Sequence, residues 1–79
     1  MALVSSFERS NKDRSTVHRP TRCLYAIIDG ESGQRLLQLD TLGSEDRQFA
    51  EKVSQSIQFD RQGAERLLEL IRETFSDLA

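Results

Sequence analysis

Tryptophan is absent, and cysteine, histidine and proline occur once each among 79 residues. Each scarcity closes a route. A single cysteine, Cys23, forbids an internal disulfide, and a structural zinc site needs about four His or Cys ligands, where only His18 and Cys23 exist. His18 lies in a polar stretch with no carboxylate in a defined relation to it, so a nucleophile with an ordered general base is missing. Gly30 and Gly33 lack the spacing of a phosphate-binding loop. No apolar run approaches the roughly 20 residues of a membrane span, and Met1–Val4 is too short for a secretory core. The expectation is a non-catalytic cytoplasmic protein with no cofactor, no metal and no membrane. Cys23 reads as a small buried apolar side chain, the usual fate of a free cysteine.

Length adds a further constraint. A chain this short has one core, worth about 3–5 kcal/mol, and normally leans on disulfides, metal or association. With the first two closed, association with itself or a larger protein remains.

What is present is unevenly charged. Arg9, Lys12, Arg14, Arg19 and Arg22 outnumber Glu8 and Asp13, so residues 1–22 carry +3, while six basic and eleven acidic residues give 23–79 a charge of −5. Residues 1–20 are polar and aperiodic, and Pro20 closes them, which reads as a flexible basic arm. Residues 21–79 form the domain. Thr21 to Ile28 reads as a strand apolar on both sides, with Cys23, Tyr25 and Ile27 opposed to Leu24, Ala26 and Ile28. Asp29 to Gly33 is a turn whose two glycines supply positive φ, and Gln34 to Leu42 completes a hairpin. Gly43 to Arg47 is polar. From Lys52 to Phe59, Val53, Ile57 and Phe59 face one way and Ser54, Ser56 and Gln58 the other. Asp60 suits a helix N-cap, and Ala64, Leu67, Leu68, Ile71 and Phe75 space an apolar stripe along a helix from Arg61 to Phe75, widened by Leu70. This is an α+β chain: a small antiparallel sheet of three to four strands followed by one C-terminal helix, associating with a second copy or a larger protein.

One helix covers one face of such a sheet. On the other, Ser54, Ser56 and Gln58 with Lys52 in register, and Arg35 and Arg47 at nearby turns, form a polar, cationic surface of the kind that holds single-stranded nucleic acid. Arg22 joins it from the start of the first strand. Asp40 opposes phosphate if it shares that face.

The stretch LLQLDTLGSEDRQFAEKVSQSIQFDRQGAERLLELI, Leu36 to Ile71, resembles the C-terminal domain of the transcriptional positive-cofactor-four family. It has that family's polar loop, then a short strand of basic and small residues around an isoleucine (Lys52, Ser54, Ser56, Ile57), then Asp60 capping a helix with Leu67 and Ile71. The wording is also similar to that of short bacterial proteins. The family resemblance implies a curved antiparallel sheet backed by a helix, dimerisation through the helix side, and single-stranded DNA gripped by the sheet, with Arg47, Lys52, Ser54 and Ser56 on the DNA surface. Two functions follow as expectations. One is a dimeric, coactivator-like single-stranded nucleic-acid-binding module using Arg22, Arg35, Arg47, Lys52, Ser54, Ser56 and Gln58. The other is a small interaction subunit of a larger bacterial assembly, docking through its helix patch or an exposed sheet edge. Leu67, Leu70, Ile71 and Phe75 would form the dimer or partner interface in either case.

Overall fold

The computed structural model describes residues 1–12, 16–43 and 52–78. Four strands and one helix follow in the order β1 (Ala2–Val4), β2 (Cys23–Asp29), β3 (Arg35–Leu42), β4 (Val53–Phe59) and α1 (Arg61–Thr74). The strands lie in one sheet, ordered β1-β4-β3-β2. β2–β3 and β3–β4 are antiparallel, whereas β1 runs parallel to β4, so the sheet is mixed. The expected strands and helix stand within a residue or two of their predicted places, in a small α+β fold. The purely antiparallel sheet is corrected by β1, which falls inside the stretch read as an arm. Its three residues carry no turn signal, and their partner Ile57–Phe59 is distant in sequence.

Sequence chemistry accounts for the punctuation. The β2–β3 turn is a short 3-10 segment, Glu31–Gly33. Positive φ falls on Ser32 (60°) and Gly33 (75°), while Gly30 is extended at −89°, so Ser32 takes the role expected of Gly30. The Asp60 carboxylate accepts the Gly63 N–H at 2.8 Å and caps α1. At the other end Phe75 N–H donates to the Ile71 carbonyl at 2.9 Å.

Register sorts the side chains by face. Tyr25, Leu37 or Leu39, Ile57 or Phe59, and Val4 lie on the side of α1; Leu24, Ala26, Gln38, Asp40, Ser56, Gln58 and Leu3 lie on the other. A bulge interrupts this between Thr41 and Leu42, where Thr41 pairs with Gln55 and Leu42 with Val53. The extra residue, Ser54, shares a hydrogen bond with the Thr41 hydroxyl at 2.9 Å and donates to the Thr41 carbonyl. A bulge puts two residues against one, so Ser54 leaves the face of Ser56 and Val53 leaves that of Ile57.

The core is thin. Among the described residues only Leu42 (4% exposed) and Phe59 (7%) are buried apolar side chains. Phe7 stacks on Phe59, with ring centroids 6.3 Å apart and planes 6° from parallel. Cys23, expected inside, is exposed on the edge strand.

Candidate functional site

The open face of the sheet carries a closed chain of hydrogen bonds. Gln58 Nε2 donates to Gln38 Oε1 at 2.8 Å, and Gln38 Nε2 donates to both Asp40 oxygens at 3.1 and 3.2 Å. Ser56 Oγ donates to the same carboxylate. Cross-strand pairing creates this row, since Gln38 lies opposite Gln58 and Asp40 opposite Ser56. Ser56 and Gln58 thus sit together as expected, but the Ser56 hydroxyl is turned onto Asp40, which occupies the middle of the face, and the Gln58 amide onto Gln38. Gln38 and Asp40 are the residues the sequence reading underweighted; their period of two, aligned with Ser56 and Gln58, was the available signal.

The cations do not gather on that face. Arg35 stands on the α1 side at the start of β3, where its Nε meets Asp29 Oδ1 at 3.1 Å, both side chains largely exposed. Arg22 and Lys52 flank the opposite end: Leu42 N–H donates to the Arg22 carbonyl at 3.2 Å and Gly43 N–H to the Lys52 carbonyl at 2.9 Å. At about 3.4 Å per residue the length of β3 separates Arg35 from this pair. Ser54 is rotated away by the bulge. Arg47 lies outside the described residues. The structure therefore brings together Ser56 with Gln58, while Arg22 and Lys52 lie on either side of β3 at one end of the sheet, apart from that pair.

The α1 side has different chemistry. A groove of about 610 Å³ lies between the first turn of α1 and the sheet, lined by Ile27, Leu36, Leu37, Phe59 and Ala64 among others. From Ala64 the same helical line continues at steps of three or four through Leu68, Ile71 and Phe75. All three are exposed, as are Leu78 and, on the same side of the sheet, Tyr25 (75%) and Ile27 (63%). The other flank of α1 packs inward: Gly63 is buried, Leu67 and Leu70 are half-buried, and Leu70 lines a hollow with Phe7 and Arg66. Of the four residues expected at an interface, Ile71 and Phe75 are on the exposed line and Leu67 and Leu70 are turned toward the chain's own arm and sheet.

Among the described residues, no three His, Cys, Asp or Glu side chains gather as metal ligands would, and no helix is long and apolar enough to cross a membrane. A four-stranded mixed sheet with one C-terminal helix defines a small α+β protein. No family model, curated protein or solved structure matches the chain.

Proposed function

We propose that this chain is a non-catalytic interaction module that completes its fold against another polypeptide, in the cytoplasm, where an exposed free thiol such as Cys23 is kept reduced. One observation carries the reading. The apolar line Leu68–Ile71–Phe75 on the helix, together with Tyr25 and Ile27 on the sheet, leaves one side of the molecule apolar and uncovered. Exposed apolar side chains gathered on one side of a small protein mark a protein contact, whereas single scattered ones do not.

The test is substitution of Ile71→Ser with Phe75→Ser. Both side chains are exposed, so the circular dichroism spectrum should hold while binding of an apolar fluorescent dye, or the mass of the associated species by light scattering, falls. A wild-type chain that takes up no dye, scatters as one 9.0 kDa unit and is unchanged by the double substitution would overturn the proposal.

A second reading, binding of single-stranded nucleic acid, is supported by Arg22 and Lys52 flanking one end of the sheet beside the basic arm. It predicts that Lys52→Ala with Arg47→Ala weakens binding of a labelled oligonucleotide and flattens its salt dependence, because each lost phosphate contact releases fewer counterions. Asp40→Asn should act in the opposite direction. Unchanged affinity in the double variant removes this reading.

A further inference from the structure

Among the described residues, the outer edge of β2 is the long open edge of the sheet: seven residues, against three in β1 at the other side. The hydrogen bonds of the hairpin fix which of its backbone groups are free. Leu42 N–H donates to Arg22 C=O and Gly30 N–H to Gln34 C=O. In an antiparallel ladder, paired residues alternate between bonding to each other and pointing away. Even-numbered residues of β2 therefore bond to β3, and Cys23, Tyr25, Ile27 and Asp29 turn their N–H and C=O groups outward. Natural sheets blunt such edges with lysine, proline, a bulge or a short strand. None of these is found in Cys-Leu-Tyr-Ala-Ile-Ile-Asp, which pairs with β3 without interruption. Its one charge, Asp29, is tied to Arg35.

We propose that a second copy of this chain occupies the edge, with β2 pairing antiparallel to the partner's β2 about a twofold axis at Ala26, to make one eight-stranded sheet. The proposal rests on the interaction-module reading and names its partner. Four observations select the second copy and the register. A twofold contact must be self-complementary, and a strand with outward groups at every second residue meets that condition with itself. Centring on Ala26 pairs the whole strand; centring on Tyr25 drops Ile28 and Asp29, and centring on Ile27 drops Cys23 and Leu24. With Ala26 on the axis, the closest approach of backbones, a non-hydrogen-bonded pair with Cα atoms about 4.5 Å apart, falls on the smallest side chain of the strand. Tyr25 then lies opposite the partner's Ile27, twice over, an aromatic and β-branched pairing that sheets favour. Those four side chains join the two apolar grooves into one surface on the α1 side.

The exposed area agrees. The chain exposes 7432 Å², whereas a compact monomer of its mass exposes about 4,900 Å². A stable interface takes about 800 Å² from each partner, well within the excess. After pairing, the two edges left on the eight-stranded sheet are the three-residue β1 strands.

The experiment is cysteine cross-linking in the full chain with Cys23→Ser as background. Under mild oxidation Ala26→Cys should run as a disulfide-linked dimer, since residues across a non-hydrogen-bonded pair fall within disulfide reach. Leu24→Cys or Ile28→Cys alone should stay monomeric, and an equal mixture of the two should cross-link. In parallel, Tyr25→Lys with Ile27→Lys should convert the scattering mass from two chains to one without changing the far-ultraviolet spectrum, because both side chains are exposed in the single copy. Cross-linking of Leu24→Cys as readily as Ala26→Cys, or a dimer that survives the double lysine, overturns the β2 pairing. A wild-type chain that is monomeric at every concentration yet still binds apolar dye through Ile71 and Phe75 also overturns it, while leaving the interaction module intact.

Discussion

Gly63 shows how one residue can decide between local propensity and packing. It sits in the first turn of α1, where alanine would gain about 1 kcal/mol of helix propensity. A Cβ there, however, would fall inside contact distance of the Val4 carbonyl oxygen, and backbone cannot swing aside as a side chain can. Overpacking of this kind costs about 1–3 kcal/mol, so Gly63→Ala should lower the melting temperature and loosen β1, read as faster hydrogen exchange at the amides of Ala2–Val4. A rise in melting temperature with β1 protection unchanged would mean that the strand is not seated on the helix. Ser32 is the opposite case. Its φ of 60° is a left-handed conformation that costs an L-residue about 1–2 kcal/mol, offset in part by the extra unfolded-state entropy of glycine, about 0.4–1 kcal/mol. Ser32→Gly should therefore be neutral to stabilising by about 1 kcal/mol in urea denaturation, and clear destabilisation would contradict the turn geometry. Asp60 as helix cap was legible from its type and place. Gly63 was not, because its reason lies in a strand nearly sixty positions away.

At the scale of elements, what could be read depended on the range of the signal. β2, β3, β4 and α1 declare themselves by local periodicity and turn residues, and their bounds follow closely. β1 does not, since three apolar residues without a partner in view look like part of any polar arm. The bulge at Ser54 escaped for the same reason: alternation in Val-Ser-Gln-Ser-Ile-Gln-Phe is regular, and only pairing with Thr41 shows that two residues share one place. The candidate surface suffered most, because Ser54 and Arg35 end on the helix side and Asp40 occupies the centre of the polar face. The helix stripe was legible in composition, but which flank it turns to the sheet depends on Gly63 docking against Val4 and on Phe7 covering Phe59. That cover is testable. Phe7→Ala removes the ring stacked on Phe59, a buried apolar side chain, and an aromatic pair contributes about 0.5–1.5 kcal/mol beyond its area. The urea midpoint should fall accordingly. An unchanged midpoint would show that residues near Phe7 do not hold Phe59 in place.

The whole molecule exposes more surface than its mass requires, and its radius of gyration, 14.8 Å, exceeds the about 12 Å of a compact chain of this length. A fold whose buried apolar side chains among the described residues are Leu42 and Phe59 gains little from that interior, and folding stability of small domains is already a narrow margin. If a second copy supplies the missing burial, unfolding and dissociation become one event, and the melting temperature must depend on protein concentration. A tenfold change in concentration is worth about 1.4 kcal/mol for a dimer, or about half of that for each chain. At about 4–8 °C per kcal/mol for a domain of this size, the midpoint should climb by about 3–6 °C for each tenfold increase. The variant carrying Tyr25→Lys and Ile27→Lys should melt lower and lose the dependence, because its stability no longer draws on a partner. A wild-type midpoint that stays flat across a hundredfold dilution would mean that the single chain is self-sufficient despite its thin interior. The open edge of β2 would then have to be accounted for by something other than a second copy.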